Sequence, residues 1–414
     1  MNTSISLIPQ NVVDHLRELH ALTGNAAGSQ RLAWTGTWGT ARDWLRQKLE
    51  QLPVEIEVDE AANTWATLKG ASPKALVMGS HIDSVANGGW LDGCLGVVTA
   101  LEVLRHLAAQ GVPPVTVRLV NWADEEGARF GRSLFGASAV SGNFDPDELR
   151  KLTDKEGVRL VDAVAKFGVD LDRAKEAGRQ LKNTAAYLEL HIEQGPVLES
   201  LNMPLGAVLG TLGVERHKIT FTGQTAHAGS TPMEMRRDAL AAAARLELEI
   251  REIAKRHGGV CTMGGVFTRP GIVTAVVGQC DALLDQRHLD APTLARMLQE
   301  AKEASQRFAQ EEKVDVEWQR LWQIDPIFFH PDLVALCEES IRETCGVVHR
   351  LPSGPLHDAA EVARAGVPTV MMFAQSLYGL SHTKEEDTRE EHLLFAVEAF
   401  DRLAAKTIDW ILKH

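Results

Sequence analysis

Ala75-Leu76-Val77-Met78-Gly79-Ser80-His81-Ile82-Asp83 reads as a buried strand, an apolar run that carries a histidine out of its carboxyl edge. The plan recurs along the chain. Val115 to Val120 is apolar and runs into Asp124-Glu125-Glu126-Gly127. Tyr187-Leu188-Glu189-Leu190-His191 is a strand that ends in a histidine, and Thr369 to Phe373 leads to Gly379-Leu380-Ser381-His382. After the first strand, Trp90-Leu91-Asp92-Gly93 precedes a stretch, Gly93 to Gln110, that places Val97, Leu101, Leu104 and Ala108 on one helical face. Strands alternating with helices predict an α/β layer architecture, in which ligands bind beyond the carboxyl ends of the strands. His81, Asp92, Glu126, His191 and His382 are therefore expected to converge from distant parts of the chain.

Those residue types suit a particular chemistry. Imidazole with carboxylate fits Zn, Mn, Co or Ni. Three histidines, one aspartate and one glutamate supply two terminal ligands per ion and one shared carboxylate, an arrangement that holds two ions roughly 3.5 Å apart and activates water near neutral pH. Each residue also has an ordinary reading. A lone histidine at a strand end is usually a satisfied polar group, and Asp124-Glu125-Glu126 alone would be a solvated acidic turn. The acidic run, however, follows a buried strand directly and precedes Gly127.

Between about 213 and 328 the pattern changes. His217 to Thr222 reads as a strand, Met233 to His257 as a helix, Val260 to Phe267 and Ile272 to Asp285 as strands, Ala291 to Lys313 as a helix and Val314 to Trp322 as a strand. This β-α-β-β-α-β order predicts a ferredoxin-like α+β insert. The expected organisation is a discontinuous catalytic domain, 1–212 with 329–414, interrupted by a second domain, 213–328.

Length and charge set bounds on partners. The chain has 414 residues, enough for two domains that each bury a core. A net charge of −13 disfavours nucleic acid and anionic membranes as partners. No apolar run approaches the ~20 residues of a membrane span. Met1-Asn2-Thr3-Ser4-Ile5-Ser6 lacks a basic segment and an apolar core, so the expected location is cytoplasmic. The five cysteines form no CxxC pair and no even framework, which fits a reducing compartment.

Six motifs in order resemble one family. They are Gly79-Ser80-His81-Ile82-Asp83, Gly89-Trp90-Leu91-Asp92-Gly93, Glu125-Glu126-Gly127-Ala128-Arg129-Phe130, Glu189-Leu190-His191-Ile192-Glu193-Gln194-Gly195, Ala226-His227-Ala228-Gly229-Ser230-Thr231-Pro232-Met233 and Ser381-His382. The chain resembles the M20 metallopeptidase clan and, within it, the hydantoinase/carbamoylase group of N-carbamoyl-L-amino-acid hydrolases, β-ureidopropionases and allantoate amidohydrolases. The resemblance implies that His81 and His191 bind one ion, Glu126 and His382 the other, and that Asp92 bridges them. It gives Glu125 the general-base role and His227 the polarisation of the scissile carbonyl across a dimer interface. Asp83 would accept the second N–H of His81 on its carboxylate. Arg216 and Arg287 would hold a substrate carboxylate, with Gln194, His357 and Thr274 as further substrate contacts. The inserted domain would act as a lid and make a homodimer.

One stretch departs from the family. Where members carry Pro-Asn-x-x-Asn-x-x-Pro, this chain has Gly271, Thr274 and Val277, which removes a two-headed amide from the substrate region. The implied activity is hydrolysis of the C–N bond of an N-carbamoyl amino acid or related ureido acid, releasing ammonia, carbon dioxide and the amine. A dipeptidase or N-acyl-amino-acid hydrolase of the same clan is the alternative; against it, His191 stands where many of the peptidases place a carboxylate. A silent binding protein is the third reading. Glu125 argues against it, because a metal-binding relic has no need of the base.

Overall fold

Four parallel strands lie side by side in the order Thr369–Ala374, Thr184–Ile192, Ser72–His81 and Val115–Trp122. Their register sets Phe373 opposite His191 and His81 opposite Trp122, so the carboxyl ends gather at one edge of the sheet. Antiparallel strands continue it on both sides, Thr64–Leu68 and Glu55–Val58 beyond Val115–Trp122 and Leu205–Thr211 beyond Thr369–Ala374. The parallel strands are buried almost throughout, which is why they read as mainly apolar runs, with Thr116 and Arg118 interrupting Val115–Trp122. The structure is a computed structural model that describes residues 7–414, so Met1-Asn2-Thr3-Ser4-Ile5-Ser6, the segment on which the expected location rests, lie outside the described residues.

Helices Cys94–Ala109 and Glu390–Lys413 pack against this sheet, and Pro9–Thr23 packs against both helices. Glu390–Lys413 buries Leu393, Ala396, Val397, Phe400, Leu403 and Ala404, spaced by three and four residues as one face of a helix requires. Burying each of its larger apolar side chains is worth about 1.5–3 kcal/mol. Glycine is demanded at two places near the strand ends. A Cβ on Gly79 would meet the Val120 carbonyl at 1.9 Å, and Gly93, at φ +65°, has the His81 ring 2.4 Å from where its Cβ would be.

The chain divides into two compact units, one running to Leu209 and resuming over Phe329–His414, the other Gly210–Phe328. The second unit holds a four-stranded antiparallel sheet in the order Val260–Arg269, Gln279–His288, Gly213–Thr222, Asp315–Ile324. Helices Ala239–His257 and Ala291–Glu311 cover one face of it. Two elements differ from expectation. The helix expected from Met233 begins at Ala239, because the Asp238 side chain caps it by accepting from Leu240 N and Ala241 N. The strand expected over Ile272 to Asp285 runs over Gln279–His288. Arg269 pairs with Gln279, which makes 270–278 the connection between two strands, and within it Ala275–Val276 pairs with Ala226–His227.

Candidate metal centre

Beyond the carboxyl ends of the parallel strands, ligand atoms of His81, Asp92 and His191 lie within 4.8 Å of one another, and so do those of Asp92, Glu126 and His382. Asp92 belongs to both groups through different oxygens. Its Oδ1 lies 3.2 Å from His191 Nε2 and 3.8 Å from His81 Nε2, and its Oδ2 lies 3.3 Å from His382 Nε2. His382 Nε2 is also 3.3 Å from Glu126 Oε2.

The tautomers test whether a cation fits. His81 Nδ1 lies 3.1 Å from the Asp83 carbonyl and His191 Nδ1 lies 2.8 Å from the Ile192 carbonyl. A carbonyl only accepts, so Nδ1 carries the hydrogen in both rings and each neutral ring turns its Nε2 lone pair toward Asp92. Lone pairs then face a carboxylate in a buried place, and His191 Nε2 has no hydrogen-bond partner. A positive charge belongs in that gap. Burial pushes the Asp92 carboxyl up, but the adjacent imidazoles of His191 and His382 prevail and hold it well below the usual range. The carboxylate that draws a cation to this gap also draws a proton when no ion fills it: for His191, burial disfavours the proton and Asp92 outweighs burial, which raises the imidazole above its ordinary value. The seat attracts a cation, and the donor set of imidazole and carboxylate suits a divalent transition ion.

Glu125 is 7% exposed, with Oε2 3.8 Å from His81 Nε2. Burial, then the charges of Asp358 and Glu126, raise its carboxyl well above the ordinary value. Asp83 does not play the part expected of it. Its main-chain carbonyl takes the His81 N–H, while its carboxylate is 3.7 Å from Nδ1 and accepts Glu125 N at 3.3 Å and Glu126 N at 3.2 Å. The turn after Val115–Trp122 points its amides at Asp83, so this carboxylate orients the acidic pair.

Gln194 donates from Nε2 to Asp92 Oδ2 at 2.9 Å and Ser381 Oγ at 3.0 Å, and lies 3.3 Å from His382 Nε2. His357 is 1% exposed, has both ring nitrogens unpartnered, and sets its ring centre 4.4 Å from that of His191. The sequence reading missed Glu386. Buried at 1% exposure, it accepts Leu91 N and Asp92 N at 3.1 Å each and Ser381 Oγ at 3.1 Å, tying the Asp92 turn to the His382 loop. The acidic run Glu385-Glu386-Asp387, beginning three residues past a ligand, was the available signal. Cys94 is buried at the start of helix Cys94–Ala109.

In the second unit, Arg216 and Arg287 meet on Asp285. His227 is exposed and lies in the short ladder opposite Ala275, and the Thr274 carbonyl accepts Ala228 N at 2.8 Å. The structure thus joins His81, Asp92, Glu125, Glu126, His191, Gln194, His357 and His382 in one unit, and pairs Arg216 with Arg287 and His227 with Thr274 in the other.

The sequence pattern of Peptidase family M20/M25/M40 matches residues 77–406. The chain belongs to this family. Among M20 relatives it is 34% identical over 379 residues to an N-carbamoyl-L-amino acid amidohydrolase of Geobacillus stearothermophilus, covering 90% of this chain and 92% of that one. It is 35% identical over 372 residues to an allantoate amidohydrolase of Escherichia coli (strain K12), covering 88% and 89%. A solved amidase of the hydantoinase/carbamoylase family from Burkholderia multivorans superposes with TM-score 0.89 at 29% identity, covering 97% of this chain and 98% of that one. The M20 family is hydrolytic and metal-dependent, and the chain is a hydrolase with candidate metal-binding residues. Among the described residues no helix is long and apolar enough to cross a membrane.

Proposed function

We propose that this M20 hydrolase cleaves the C–N bond of an N-carbamoyl amino acid or a related ureido acid, releasing ammonia, carbon dioxide and the amine. The observation that carries the reading is Asp92 shared between two ligand groups with Glu125 beside them, in a chain related over most of its length to carbamoylases and an allantoate amidohydrolase. His81 and His191 hold one divalent ion, Glu126 and His382 a second, and Asp92 both; Zn, Mn, Co and Ni all suit the set. When bound, the ions polarise the ureido carbonyl and lower the pKa of water.

The chain's own residues do the rest. Glu125 removes the proton of the attacking water and returns it to the leaving nitrogen, a task suited to a buried carboxylate whose proton affinity is raised. Asp83 keeps Glu125 and Glu126 in separate directions by holding both amides. Gln194, Thr274 and His357 contact the substrate, Arg216 and Arg287 receive its carboxylate, and His227 donates to the developing oxyanion. The 213–328 domain serves as lid and as the contact of a homodimer.

The test is ammonia and amine release after reconstitution with Mn, Zn, Co or Ni. The panel comprises N-carbamoyl-α-amino acids, β-ureidopropionate, allantoate, N-acetyl amino acids and dipeptides. Turnover confined to ureido acids is expected. Turnover of dipeptides or N-acetyl amino acids alone would replace the reading by that of a dipeptidase or acylase.

A further inference from the structure

Asp285 stands between the two arginines of the second unit. It lies directly across from Arg216 on the neighbouring strand, and Arg287 follows it by two residues, so the three side chains leave one face of the sheet. Ala282 and Leu284 of the same strand join the core with the helices, and Gln286 is buried. Arg216 Nε donates to Asp285 Oδ2 at 2.8 Å, and Arg287 donates from Nε to Oδ1 at 2.7 Å and from Nη2 to Oδ2 at 3.1 Å. Arg216 is held from a second side. Its guanidinium carbon is 4.9 Å from the centre of the Trp322 ring, and Trp322 pairs with it from the other neighbouring strand. Nearly half of the Arg216 side chain is exposed, at 46%.

A guanidinium carries five donors, and Asp285 engages one from Arg216 and two from Arg287. It also subtracts charge. Two guanidiniums alone complement a dianion; with Asp285 between them the group has one net positive charge, the complement of one carboxylate. The bidentate Arg287–Asp285 pair helps to order this face of the sheet, and it also fixes the charge that the cluster presents.

We propose that Asp285 is a specificity-determining residue that tunes the Arg216–Arg287 pair to substrates bearing a single carboxylate and disfavours dicarboxylates. This rests on the assignment of those arginines to the substrate's carboxylate. Discrimination would come partly from repulsion: a second carboxylate drawn to the pair meets Asp285 already there.

The experiment compares Asp285→Asn, which keeps the shape and removes the charge, with Asp285→Glu, which keeps the charge. Metal-loaded protein is assayed on N-carbamoyl-L-alanine and N-carbamoyl-L-aspartate, with melting temperature recorded for each variant. Asp285→Asn should shift the ratio of kcat/KM values at least about tenfold toward the aspartate derivative, through KM and not kcat. Asp285→Glu should keep the wild-type preference. An unchanged ratio in Asp285→Asn, or equal losses on both compounds, overturns the proposal. If wild type hydrolyses neither compound, the functional reading fails by itself, and calorimetric binding of the same two compounds decides on the arginine pair. Tighter binding of the monoanion by wild type, inverted in Asp285→Asn, supports the role of Asp285, and its absence overturns it.

Discussion

Glu125 and Glu126 are consecutive carboxylates with different neighbours, Oε2 of the first near His81 Nε2 and Oε2 of the second near His382 Nε2. Replacing each separates their tasks. Glu125→Gln should lower kcat by at least ~10² with metal content unchanged. Glu126→Gln and His382→Ala should each lose one ion and with it nearly all turnover. Kinetics alongside elemental analysis checks this, and if only Glu125→Gln lost metal the two roles would be exchanged. At this scale the sequence was informative where a residue type and a strand end coincided, as at His81 and His191. It was silent where a contact depends on the path of the backbone. Whether the carbonyl or the carboxylate of Asp83 meets His81 is decided by how the turn at 123–126 aims its amides. Glu386 escaped notice for a like reason, since two of its partners are main-chain N–H groups almost 300 residues away, which carry no side-chain signature.

The turn from strand Ser72–His81 into helix Cys94–Ala109 places Asp92 and depends on Gly93. Gly93→Ala would hold a side chain at positive φ, a strained conformation costing about 1–3 kcal/mol, and push a methyl into the His81 ring. The expected outcome is a lower melting temperature and lost metal affinity, read by thermal denaturation and metal titration. Normal affinity in this variant would show that the turn yields without moving His81 or Asp92. Among elements, the buried parallel strands were the most legible, because a strand covered on both faces is mostly apolar. The second unit's boundaries were less so. Helical periodicity marks out the stretch ending at His257, but its start is set by the side-chain cap at Asp238, and a hydrophobic pattern does not register a cap. Strand Gln279–His288 was expected seven residues early because Ile272, Val273, Ala275, Val276 and Val277 look like a strand, whereas they lie in or beside a connection that pairs briefly with Ala226–His227.

For the whole molecule, the buried acids make stability a matter of both pH and metal. Burial, with the charge of Asp124, pushes Asp83 up to about 8; burial pushes Asp124 to about 7, and burial with the charge of Asp92 takes Glu386 to about 7. The folded values exceed the unfolded ones, so the fold binds extra protons and loses stability as pH rises through these values. Chelated protein should therefore melt at a lower temperature at about pH 9 than at about pH 7, and bound divalent ions should flatten the dependence. Below about 6.5 the gain on acidification becomes shallower, because burial holds His81 down to about 3 and the unfolded chain alone takes that proton, which offsets part of what the buried acids contribute. Equal melting temperatures across this range in chelator would contradict the assignment. The proposed dimer has its own test. If His227 serves the neighbouring subunit, mixed dimers of His227→Ala and Glu125→Gln contain one intact site and should recover up to about half of wild-type activity; isolated mixed dimers as inactive as both parents would place His227 within its own chain. Strand order also dictates a timetable. Thr184–Ile192 is flanked by Ser72–His81 and by Thr369–Ala374, which a ribosome delivers early and late. At ~5–20 residues per second, roughly ten to thirty-five seconds separate completion of the first neighbour pair from arrival of the second. Throughout that interval the nascent chain presents a bare apolar edge that invites chaperones or wrong partners. His382 emerges later still, so the ion assigned to Glu126 and His382 cannot load until the chain is nearly complete.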